Sequence, residues 1–134
     1  MMYNEPSMTP WGEVQSCTPL SYGVFSVSTA GHGGIMVNVK IAPHILSKDA
    51  RRCGFRQGGY LCFEEDCAAP VAIRELMDKR LFTPPVNRYY EPGEYEACID
   101  RSLQRWNPEY WNAREQRLAA DLETPIKRSK ERER

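Results

Sequence analysis

The sequence predicts an α+β fold: a small antiparallel sheet of three or four strands, packed on one face by helices from the C-terminal half. Three observations carry this reading. Up to residue 64 most apolar residues fall in short runs that alternate with polar ones, the period of a strand. After residue 66 they recur at three- and four-residue spacings, the period of an amphipathic helix. The first three runs are separated by only a few residues, too few for crossover helices, so these three neighbouring strands pair antiparallel.

Residues 1–10 hold Pro6 and Pro10 without periodicity and read as a flexible arm. The single domain is expected over 11–123, and a charged, disordered tail over 124–134. A first strand is expected over 13–18, ended by Pro19, and a second over 24–28 after the turn at 20–23. The run Ser28-Thr29-Ala30-Gly31-His32-Gly33-Gly34 reads as a tight turn with one exposed histidine. A third strand follows over 35–41. Pro43 opens a short helix to Cys53, with Gly54 as its terminating residue. Gln57-Gly58-Gly59 punctuates the chain before a fourth strand at 60–63, and Asp66 is expected to cap the next helix. In that helix Ala69, Ile73, Leu76 and Met77 share one stripe. Residues 83–87 cross the surface as an extended linker, and a helix over 92–106 follows with Trp106 in its apolar face. Asn107-Pro108-Glu109 reads as a stop and a restart. The last helix should end at Thr124-Pro125.

Composition narrows the function classes. The chain carries 18 basic and 18 acidic side chains, and the surplus of base lies in the tail. That balance argues against a body that neutralises many phosphates, so nucleic acid is not an expected partner. No run of about 18 apolar residues and no basic start leading into an apolar stretch is present, so no membrane span is expected and the location should be cytoplasmic. Five cysteines at 17, 53, 62, 67 and 98 form an odd set without paired metal-site spacing. They are expected as reduced thiols, with no metal. No dinucleotide or phosphate-loop pattern leads into a helix, so no cofactor is expected.

Two constellations could carry function. Under an enzymatic reading, His32 is a general acid or base oriented by Glu65 or Asp66, with Cys17 or Cys62 as a nucleophile, in a small hydrolase or transferase. The competing reading of the same residues is a turn histidine, two solvated glutamates and a helix cap. Under a binding reading, Arg88, Tyr89, Tyr90 and Tyr110 belong to an aromatic-rich zone of the kind that supplies binding hot spots.

Three stretches also resemble a family of small proteins of unknown function from bacteriophages, plasmids and bacterial genomes. They are Trp11-Gly12 with Thr18-Pro19-Leu20, the run from Val27 to Ile35, and Tyr60 to Cys67 with Arg105-Trp106-Asn107-Pro108-Glu109. The resemblance covers roughly residues 11–111. It implies a mobile-element setting and, by association, a host-defence inhibitor of the anti-CRISPR kind that works by contact with a host protein or protein complex.

Overall fold

A computed structural model describes the backbone of residues 5–132 and the side chains of residues 5–122. β1 (Met8–Thr9) and β2 (Gly12–Glu13) form a small ladder of their own. β3 (Ser16–Ser21), β4 (Val24–Ser28), β5 (Gly33–Asn38), β6 (Phe55–Gln57) and β7 (Tyr60–Glu64) form one antiparallel sheet in the order β3-β4-β5-β7-β6. α1 (Ala42–Ile45) and α2 (Lys48–Cys53) lie between β5 and β6 in the chain, and α3 (Ala69–Asp78), α4 (Glu94–Trp106) and α5 (Pro108–Arg132) follow β7.

The α+β class is as expected, but the sheet has five strands. The additional one, β6, is three residues long and pairs with β7 through the two-residue turn Gly58-Gly59, where Gly58 takes φ +61°. Too short to show a period, it was invisible as a strand in the sequence. Pro19 does not end the first long strand but lies inside it. β3 is an edge strand, where a residue without an N–H forfeits no ladder bond, and a register shift between Pro19 and Ser21 absorbs the misfit.

Each face of the sheet has its own core. Val24, Ile35, Val37 and Phe63 face all five helices and join Leu46, Ala50, Leu76, Leu103 and Tyr110 in the main cluster. Phe25, Val27, Met36 and Cys62 face the other way and are packed by Trp11, Cys17 and Tyr60. The expected one-sided packing is therefore corrected. Trp11, the first residue after the arm read as flexible, leads that cover, and within the arm Thr9 is buried and Met8–Thr9 is paired with Gly12–Glu13.

The helices also depart from expectation in ways their ends explain. The helix expected over 43–53 breaks at Leu46, because Ser47 caps a new one by accepting from the Ala50 N–H at 3.2 Å. Asp66 caps nothing. α3 starts after Ala68 without a side-chain cap, the N–H groups of Cys67 and Ala68 already donate to the Glu64 carbonyl, and Pro70 removes a further donor. α5 is assigned as far as Arg132, past the expected stop at Thr124-Pro125. Its side chains from 123 onward, and with them the expected charged tail, lie outside the described residues, as do residues 1–4 of the arm.

The glycines read as a turn are half strand. Gly33 and Gly34 are buried in β5, and a Cβ on Gly34 would lie 2.2 Å from the Phe63 carbonyl oxygen and 2.5 Å from the Trp11 ring. Gly34 is thus the notch into which Trp11 seats. Gly34→Ala should cost about 3 kcal/mol in urea titration, since the Phe63 carbonyl oxygen belongs to the backbone of the paired strand and cannot yield as a side chain can. His32→Ala should stay within about 0.5 kcal/mol of the parent.

Candidate functional site

The turn at the end of β4 is built by Thr29. Its hydroxyl is 2.7 Å from the His32 carbonyl and 3.2 Å from the Trp11 carbonyl, a proton able to serve either, and it accepts from the His32 N–H at 3.2 Å. The Thr29 N–H closes the same turn on the His32 carbonyl at 2.8 Å. The Thr29 hydroxyl and Gly34 therefore serve the turn backbone and the Trp11 segment. His32 itself is exposed.

Glu65 reaches this neighbourhood, its N–H donating to the Gly33 carbonyl at 3.0 Å and its carboxylate beside the Gly33 Cα. Among the described residues, however, no hydrogen bond or ion pair joins His32 to Glu65 or Asp66, and no group of three His, Cys, Asp or Glu side chains could hold a metal ion. The candidate thiols are set apart as well. Cys62 is fully buried, and burial pushes its thiol up to about 11, while burial also raises the half-buried Cys17. A thiol held protonated is a poor nucleophile at neutral pH.

All five cysteines are free. Burial first, then the neighbouring Glu64, also raises Cys67, but this thiol is exposed. Alkylation of the folded protein at pH 8, read by mass spectrometry of its peptides, should label Cys67 early and Cys62 only on unfolding.

The aromatic zone divides into two kinds of residue. Tyr110 is 3% exposed and donates to the buried Glu75 at 2.6 Å, so it cannot present a ring to a partner as the sequence reading expected. Burial, then Glu75, raises its phenol well above the usual range. Tyr90 packs edge-on against Tyr95, with ring centroids 5.2 Å apart. Tyr89 is the outward member at 67% exposed, with the Arg88 guanidinium 4.8 Å from its ring centroid. Asn87 fixes the pair of orientations: its Oδ1 accepts from the N–H groups of Tyr89 at 2.8 Å and Tyr90 at 3.2 Å. One tyrosine is thereby turned in as an anchor and the other out. Trp106, expected in the core, is 57% exposed with the Arg105 guanidinium 4.9 Å from its ring.

The sequence reading missed a buried polar network between α3 and α5. Glu75, 3% exposed, accepts from the Ser47 N–H, the Tyr110 hydroxyl and Arg117 Nη2 at 3.2 Å. One turn on, Asp78 receives a two-pronged Arg114 guanidinium at 2.8 Å on both oxygens, and Arg74 bridges Asp78 at 3.2 Å to Asp100 at 3.1 Å. A signal existed: Arg114 and Arg117 interrupt the apolar stripe of α5 at the spacing that faces α3.

Burial alone would raise Asp78, but Arg114 and Arg74 outweigh it and hold its carboxyl below the ordinary value. A carboxyl depressed on folding contributes stability above its unfolded value near 3.9 and loses that contribution as pH falls through the folded value. Asp100 has the opposite sign, because burial raises it more than Arg74 lowers it. Asp78→Asn should therefore destabilise at pH 7, by about 2 kcal/mol for a partly buried pair. The gap to the parent should narrow as pH falls below the unfolded carboxylate value near 3.9 and through the lower folded value, as read by chemical denaturation at a series of acid pH values.

The chain belongs to the DUF7007 family, a domain of unknown function whose family model matches residues 4–134. No curated protein and no solved structure matches it.

Proposed function

We propose that this protein works by occupying a surface on a partner protein, with the Arg88–Tyr89 tip as an anchor. The observation that carries the reading is the pinned exposure of Tyr89. Asn87 fixes the backbone at Tyr89 and Tyr90, and Arg88 lies over the Tyr89 ring and donates from Nη2 to its hydroxyl at 2.6 Å, so part of the freedom that binding would cost has already been given up. Tyr and Arg are the side chains most often found at interface hot spots, and Val86, 63% exposed, adds apolar area beside them. Nothing in the fold needs Tyr89 to be aromatic.

The resemblance to small proteins of phages, plasmids and bacterial genomes supports a mobile-element setting. Within it, the reading is inhibition of host defence, anti-CRISPR-like, in the host cytoplasm and at one molecule per target. The enzymatic alternative draws less support, because among the described residues no carboxylate orients His32 and burial raises the candidate thiols Cys17 and Cys62.

Tyr89→Ala should weaken capture of the partner by about thirtyfold, the size of a hot-spot loss. Tyr90→Ala should lower the melting temperature first. His32→Ala should retain activity. Titration against a fixed amount of target decides the matter: complete inactivation far below equimolar ratio, abolished by His32→Ala in a folded protein, would sink the binding reading in favour of catalysis.

A further inference from the structure

We infer that residues 5–14 form a strap over the second face of the sheet, and that this strap lifts off as a unit while the sheet and its helical layer stay folded. The step is separate from the Arg88–Tyr89 tip and does not depend on the partner-protein reading.

The strap is closed on itself. β1 and β2 pair with each other in a ladder distinct from the main sheet. Between them the Thr9 hydroxyl donates to the Gly12 carbonyl at 2.8 Å and accepts from the Trp11 N–H at 3.1 Å. Gly12 holds φ +125°, a conformation that side chains disfavour. The main ladder takes up the chain at Gln15, whose N–H donates to the Ser28 carbonyl at 2.8 Å. The segment before it thus has its own fastening and a defined end.

Its attachment to the rest of the fold is narrow by comparison. Tyr60 apart, the hydrogen bond that joins residues 5–14 to the body, among the described residues, is that of the Thr29 hydroxyl to the Trp11 carbonyl at 3.2 Å. The same hydroxyl stands closer to the His32 carbonyl, at 2.7 Å, and has one proton for both. The main hold is apolar: Pro6 is buried, and the Trp11 ring seats at Gly34 and meets Phe55 edge-on, with ring centroids 6.3 Å apart. On either side of that ring the strap stands away from the sheet. A cleft of about 380 Å³ separates residues 5–10 from Met36, Tyr60 and the 57–59 turn, and one of about 350 Å³ lies between residues 11–15 and Thr29-Ala30. An apolar peg flanked by two clefts is an attachment that opens locally, at lower cost than global unfolding.

Beneath the strap lies a core of its own. Phe25, Val27, Met36 and Cys62 form a cluster distinct from the one shared with the helices, and the sheet stands between the two. Loss of the strap therefore removes contacts from the small cluster and leaves the large one and the strand ladders as they are. Lifting bares an apolar strip across β4, β5 and β7. The unfolding that exposes the buried Cys62 thiol is then release of the strap alone.

The test follows iodoacetamide labelling of Cys62 in the full chain at pH 8 across a urea series, read on its own peptide by mass spectrometry, with far-UV circular dichroism reporting global unfolding. Because the urea slope scales with the surface exposed, Cys62 labelling should rise with a slope no more than about a third of the global one. Thr9→Val keeps the shape of the side chain and removes the fastening inside the strap. It should raise Cys62 labelling without urea about tenfold, while the global midpoint moves by less than about 0.3 M. Ile99→Val, in the helical core, should do the reverse, lowering the midpoint and leaving Cys62 labelling without urea at the parent's rate. If the Cys62 slope equals the global slope, or Thr9→Val lowers the midpoint in step with the labelling, the strap is an integral part of the cooperative fold and the inference fails. Fast labelling of the parent that is independent of urea would overturn it as well, because the thiol would then be reached without the strap moving.

Discussion

A carboxylate removed from water has to be met from several sides at once, and Glu75 imposes that requirement on the helical layer. It is almost fully buried and sits mid-helix in α3, and its three donors come from the cap of α2 and from two turns of α5. Leaving such a charge short of a partner costs several kcal/mol, so α2, α3 and α5 are bound to one relative placement. The same carboxylate explains why α5, whose apolar stripe is thin, docks at all. Asp78, Arg114, Arg74 and Asp100 extend the arrangement from α5 across α3 to α4 and set the helices' lateral register.

On the opposite face of the sheet the determining contact is apolar and small. Trp11 needs a position without a Cβ, and Gly34 provides it at the centre of the sheet, flanked by β4 and β7. Thr29 then ties the carbonyl of Trp11 to the turn that carries His32. This stretch is thus the receptacle for Trp11, which accounts for the Thr29 hydroxyl and for Gly34.

Among the large side chains the molecule presents outward are Tyr89, on a backbone fixed by Asn87, and Trp106 beside the α4–α5 junction.

Local chemistry made much of this legible in advance. Period-two runs located β4, most of β5 and β7; Pro108 marked the start of α5; and the prolines at 84 and 85 located the crossing between α3 and α4. These are decisions taken within a few residues, by backbone sterics and side-chain alternation, so a sequence carries them. β6 and the Trp11 cover were decided elsewhere, by pairing and packing with segments distant in the chain that no local pattern encodes. So was the fate of each aromatic: Tyr89, Tyr90, Trp106 and Tyr110 are similar in composition, yet one ring is an outward tip, one an anchor, one a surface platform and one a buried donor. Burial is a property of what lies opposite a side chain, and for these four residues only the assembled tertiary structure supplies the other side.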